Sequence, residues 1–159
     1  ISVARQESAG LAFQAAIRAA AEEPVNRAWP STQNRNVKAC AGFFATDADM
    51  RSADGELVHG RPAIEKVYAT AFAGRLKNAK ITFQPSVTTR YLGATLALID
   101  GAYDFTGVMG TDGKDLPPSK FLVTATEVNR NGTWQVLTMR TWPANAIPGP
   151  APAAGRKTP

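Results

Sequence analysis

Hydrophobic positions recur at two different periods along this chain, and the change between them divides it into two halves. Arg5 to Glu23 is rich in alanine, with Leu11, Phe13 and Ile17 set among Arg and Glu. That is a helical pattern with a thin apolar stripe, ended or kinked at Pro24. Val25 to Trp29 extends it to Pro30, and Ser31 to Asn36 is polar. Asn34 suits an N-cap, and Val37, Cys40, Ala41 and Phe44 follow at helical spacing, predicting a second helix to about Ala45. A short ribbon is expected near Asp49 to Ser52 and at Leu57-Val58, turning at Asp54-Gly55. Pro62 fits the first turn of a third helix. Its apolar face is Ile64, Val67, Tyr68, Ala71 and Phe72, and Gly74 stops it.

From Lys80 onward the period becomes two. Ile81, Phe83, Val87, Thr89 and Tyr91 alternate with polar neighbours, with Pro85 marking a bulge or an edge. Thr95 to Thr106, Lys120 to Arg130 and Thr133 to Trp142 read as three further strands. Asn131-Gly132 is a strong hairpin signal between the last two. Helices first and antiparallel strands afterwards predict an α+β domain, about three N-terminal helices packed on one face of a curved, mainly antiparallel sheet. This domain is assigned to residues 1–143. Residues 144–159 are rich in Pro, Ala and Gly and are expected to form a tail without a core of its own.

Composition narrows the picture. The chain has 159 residues, 44% hydrophobic and 19% charged, which suits one globular domain with a real core. No apolar run approaches the ~20 residues that span a bilayer. The N-terminal stretch lacks the apolar core of a secretion signal. The start at Ile1 leaves two readings open: export after removal of a leader, or numbering that begins inside a precursor. The formal net charge is +5. Its basic residues are scattered without a run of like charge, so a soluble basic surface is expected and no nucleic-acid arm is indicated. Cys40 is the single cysteine and His59 the single histidine. An internal disulfide and a zinc finger are therefore excluded, and neither a metal nor a cofactor is expected.

At this level of detail the chain resembles a known family. Trp29, Phe44-Ala45-Thr46-Asp47-Ala48-Asp49, Asp54-Gly55 and Gly60-Arg61-Pro62-Ala63-Ile64 with Tyr68 and Phe72 carry the likeness. Asp112-Gly113-Lys114, Leu116-Pro117-Pro118 and Asn131-Gly132-Thr133-Trp134-Gln135-Val136 extend it, so that it runs from about Leu11 to Trp142. These residues are similar to the SnoaL-like branch of the nuclear transport factor 2-like, ketosteroid isomerase-like superfamily, in particular its SgcJ/EcaC-type subgroup. The resemblance implies a cone-shaped domain with an apolar pocket, commonly homodimeric, able to host enzymes, binding proteins or association domains.

The chemistry must therefore be argued from residues. The resemblance places an isomerase base at Ser52 and a strand-borne acid near Thr126, and neither side chain can do those jobs. An epoxide-hydrolase relay would draw on Asp100, Asp104 and Arg140, but Asp100 and Asp104 share a strand face opposite the more aromatic face of Tyr103 and Phe105. They are expected to point outward. On the last strand Trp134, Val136, Thr138, Arg140 and Trp142 fall on one face by strict alternation. If Trp134 and Val136 pack inward, Arg140 enters the mouth of the cone beside Trp142. There it would hold a carboxylate or phosphate, or pair internally with Asp49 or Glu127.

The candidate catalytic residues are therefore Asp49, Tyr103 and Arg140. The candidate ligand-binding residues are Trp29, Tyr68, Phe72, Phe105 and Trp142. Two functions remain in play. One is a non-catalytic binding or assembly subunit that takes a small apolar molecule, forms a homodimer and docks a protein partner through its C-terminal tail. The other is an acid/base enzyme of isomerase, cyclase or hydrolase type on a small apolar organic substrate.

Overall fold

A computed structural model describes residue 32 and residues 34–84 and 87–144. The expected first helix, Trp29, Pro85 and the tail from residue 145 lie outside the described residues. Within them, the element order is α1 (Val37–Gly42), β1 (Phe44–Arg51), β2 (Leu57–His59), α2 (Arg61–Ala73), β3 (Lys80–Phe83), β4 (Thr88–Tyr91), β5 (Leu96–Thr106), β6 (Ser119–Arg130) and β7 (Thr133–Pro143). The seven strands form one open, curved sheet in the order β2-β1-β7-β6-β5-β3, with β4 also paired to β5. All pairs are antiparallel except β1 with β7.

The helix predicted to reach Ala45 ends earlier. Asn36, not Asn34, caps α1, its side-chain oxygen accepting from the Ala39 N–H at 3.1 Å. Helical spacing continues through Phe44, yet the chain from Phe44 onward becomes a strand eight residues long. Tertiary pairing overrides local periodicity here: Phe44 aligns with Val136 of β7, and Asp49 to Arg51 align with both β2 and β7. The Asp47-Ala48-Asp49 segment is accordingly part of β1. The run expected as one strand from Ile81 to Tyr91 is two short strands, each paired to a different half of β5.

Other local signals match the observed elements. Gly55 turns β1 into β2, and Asn131 and Gly132 adopt φ of 56° and 82°, as the tight β6–β7 hairpin requires. Gly60 precedes α2 with φ 82°, a conformation that a side chain disfavours. Its N–H donates to the Ala48 carbonyl at 2.7 Å, and Arg61 donates from Nε to the Phe44 carbonyl at 2.8 Å. The Gly60-Arg61-Pro62 motif thus locks the start of α2 onto β1. Ile64 of α2 is completely buried against Phe44, Ala45, Ala48 and Met50, and this cluster ties helix to sheet.

Candidate functional site

The inner face of the sheet encloses a cavity of about 780 Å³ against α1 and α2. From β5 it is lined by Ile99, Gly101, Tyr103 and Phe105, and from β6 by Ser119, Phe121, Val123, Ala125 and Glu127. Strand alternation accounts for both rows, because every second residue faces one way. β7 contributes Val136, Met139 and Thr141, while α2 contributes Val67, Tyr68, Ala71 and Phe72.

Aromatic rings form two groups in this wall. Tyr103 stacks on Phe121 at 5.8 Å between centroids, and Phe105 meets both edge-on at 5.2 and 5.3 Å. Phe83 closes on Tyr103 at 5.4 Å. Across the cavity, Tyr68 contacts Phe72 at 5.6 Å and Phe44 at 6.3 Å. Burial pushes the Tyr103 hydroxyl up to about 12, partly offset by a hydrogen bond with Thr141. Burial pushes Tyr68 up as well. Both phenols therefore stay neutral at physiological pH.

Glu127 is the exception in an apolar wall. Its residue is 0% exposed, and neither carboxyl oxygen has a hydrogen-bond partner among the described residues. Its register partners are Ala97 on β5 and Val136 on β7, which offer nothing polar from their side chains. Burial alone raises its pKa from the ordinary 4.5 to about 8. It is held as a neutral acid because an ion there would lose its hydration without compensation. Sequence reasoning treated Glu127 only as a partner for Arg140. The usable signal was the β6 row Phe121, Val123, Ala125, Glu127, an acid continuing an apolar inward face. The resemblance pointed one residue away, to Thr126, which pairs with Leu98 and Thr138 and is absent from the cavity wall.

The other sequence candidates separate cleanly. Tyr103, Tyr68, Phe72 and Phe105 line the cavity. Asp49, Arg140 and Trp142 do not, and the expectation that Arg140 enters the cone mouth is corrected. Thr126 of β6 pairs with Thr138, but the next residue, Glu127, pairs with Val136, so Leu137 is an extra residue in β7. That bulge reverses the alternation. Val136 faces inward before it, and Met139 and Thr141 face inward after it. Arg140 and Trp142 are thereby turned to the outer face, where Trp142 remains 39% exposed.

Arg140 there donates to Asp49 at 2.5 Å, the internal pairing that the sequence left open. The bond with Arg140 holds the Asp49 carboxyl below its ordinary range. Asp47 makes a two-pronged pair with Arg130 at 2.7 and 2.9 Å, and that bond lowers its pKa too. Asp100 accepts from the Thr124 hydroxyl at 2.5 Å, and Asp104 accepts from Gln84, both outside the cavity wall as expected. His59 aligns with Asp49 at the exposed β1–β2 edge.

Ser52, at the position of an isomerase base, does border the cavity, as do Asp54, Glu56, Lys66 and Arg75. Its hydroxyl is engaged by Asp54. Cys40 also borders the cavity, and burial pushes its thiol up, away from nucleophilic reactivity. Among the described residues no group of three His, Cys, Asp or Glu side chains could hold a metal ion. No helix among them is long and apolar enough to cross a membrane.

No family model matches the chain, and no curated protein matches it. Solved structures do. A protein with a cystatin-like fold from Caulobacter vibrioides superposes with a TM-score of 0.74 at 17% identity, covering 81% of this chain and 90% of the other. A nuclear transport factor 2-like protein with a cystatin-like fold from Novosphingobium aromaticivorans gives 0.72 at 13% identity, covering 90% and 92%. A ketosteroid isomerase-like protein from Erwinia carotovora atroseptica gives 0.68 at 14% identity, covering 79% and 95%. The chain therefore shares the cystatin-like fold of these structures.

Proposed function

We propose that this protein takes up a small, mainly apolar molecule in its inner cavity and fixes it through Glu127. The observation that supports this reading is the unpartnered, fully buried Glu127 carboxyl on the wall of an apolar cavity. An unpaired buried acid costs stability. A ligand that bonds to it recovers that loss, and a volume near 780 Å³ lies within the usual range for small-molecule sites. Asp49 and Arg140, turned outward and paired with each other, then serve the sheet rather than the ligand.

The test is a cavity-filling variant. Gly101 lines the cavity, and a Cβ built there meets only ordinary contacts at 3.5 Å from Val87 and Val123. Gly101→Phe should abolish binding of 2-naphthylmethanol, measured by calorimetry, while the variant stays folded by circular dichroism. Undiminished binding by a folded Gly101→Phe protein would place the ligand elsewhere and sink the proposal.

A second reading has its own support. A carboxyl titrating near 8 is well matched to proton exchange close to neutral pH, which favours an acid/base enzyme. Deuterium uptake from heavy water into an enolisable ketone such as 2-tetralone tests it. Protein-dependent exchange that disappears in Glu127→Gln supports catalysis. Exchange no faster than in buffer supports binding alone.

A further inference from the structure

We propose that the cavity selects apolar molecules that carry a basic nitrogen, with Glu127 as the counter-group. The inference rests on the cavity reading above and names the class of its ligand. Its starting point is that both oxygens of Glu127, not one, lack partners among the described residues. A ketone satisfies only the O–H of the neutral acid and leaves the second oxygen bare. An amine nitrogen with its hydrogens can satisfy the carboxyl as an ion pair, with charge-assisted bonds that are about twice as strong as neutral ones.

The surrounding wall suits such a guest. Among the described residues eight aromatic rings line the cavity, including those of Tyr68, Phe83, Tyr103, Phe105 and Phe121. Their π faces attract a cation and repel an anion. Among the described residues the two cationic side chains of the wall, Lys66 and Arg75, are solvent-exposed. Burial is the only influence on the Glu127 proton, so neither cation occupies the place of a counter-ion.

The proton balance is simple. In the free protein Glu127 is the neutral acid and the dissolved amine is an ammonium ion. On binding, the complex holds a carboxylate and an ammonium, and one proton leaves to solvent. The amine can enter as its neutral free base and take its proton from Glu127, so no ion need cross the apolar wall. Alcohols and ketones release no proton.

The experiment compares 2-naphthylmethylamine with 2-naphthylmethanol on the full chain by calorimetry, in buffers of different ionisation heat. The expected result at pH 6 to 7 is release of about one proton per bound amine and none per alcohol. The amine Kd should fall about tenfold for each pH unit over that range. Near pH 8.5 the amine should bind at least about tenfold more tightly than the alcohol. In Glu127→Gln the amine should lose its advantage over the alcohol, because no carboxylate remains to pair with an ammonium. Equal affinities for the two probes, amine binding without proton release, or a preference that survives in Glu127→Gln would each overturn the basic-nitrogen assignment and leave the cavity reading standing. If the wild-type protein binds neither probe, the cavity reading falls, and the assignment with it. The proton count is read on the wild-type protein, so the proposal stays falsifiable even if Glu127→Gln does not fold.

Discussion

Glu127→Gln should uncouple the stability of this protein from pH across the neutral range. The side chain is wholly buried, and its pKa rises from an ordinary 4.5 to about 8 on folding. Below pH 4.5 the carboxyl is protonated in both the folded and the unfolded chain, and pH has no leverage through it. Between the two values the unfolded chain gives up this proton and the native protein keeps it, so rising pH favours unfolding. The slope is about 1.4 kcal/mol per pH unit, and the accumulated loss by pH 8 is about 5 kcal/mol. Above pH 8 both states are ionised and the slope ends.

Glutamine has nearly the same shape and no proton to lose, so the variant lacks this dependence. Urea unfolding of both proteins at pH 5, 6, 7 and 8 checks it. The variant should gain on the wild-type protein by about 1.4 kcal/mol with each step. Asp47 and Asp49 carry the opposite linkage, since both titrate below the ordinary 3.8 in the folded protein. Their contribution is lost as pH falls through those lowered values, and it is common to both proteins, so it cancels in the comparison. Parallel stability curves for the two proteins would refute the claim that Glu127 is buried as a neutral acid.

Arg140→Ala should leave the affinity for 2-naphthylmethanol unchanged within about twofold, because the bulge places this side chain outside. It should cost about 1 kcal/mol or less at pH 7, given that the pair with Asp49 is partly exposed. That difference should fade as acidification protonates Asp49, which urea unfolding at pH 7 and pH 3 would reveal. Ile64→Ala removes the fully buried link between α2 and β1 and should cost about 2–5 kcal/mol in chemical denaturation. Gly60→Ala should cost about 1–2 kcal/mol in the same assay, since φ 82° is strained for any residue with a Cβ. An unchanged midpoint would show that the Gly60-Arg61-Pro62 clamp does not constrain the entry to α2.

Glu127 and Arg140 divide what is legible in the chain from what is not. Alternation on β5 correctly put Tyr103 and Phe105 on one face and Asp100 and Asp104 on the other, because that strand keeps its register from Leu96 to Phe105. The same rule failed on β7, where one extra residue at Leu137 reverses the pattern. Nothing local announces that bulge. Turn chemistry at Asn131-Gly132 and helix entry at Gly60-Pro62 depend on the backbone preferences of a few adjacent residues, and they could be read directly.

The sequence by itself determined the α+β class with a mainly antiparallel sheet, the two glycine-marked turns and the aromatic inner face of β5. It thereby determined the kind of container the chain folds into. Only the tertiary structure decided which polar groups face its interior. The parallel β1–β7 pairing makes a strand of Phe44 to Asp49, and the bulge turns Arg140 outward to meet Asp49. The packing of β5, β6 and β7 buries Glu127 on the cavity wall without a hydrogen-bond partner among the described residues. Each outcome depends on contacts between segments tens of residues apart, and burial is set by those contacts rather than by the residue itself.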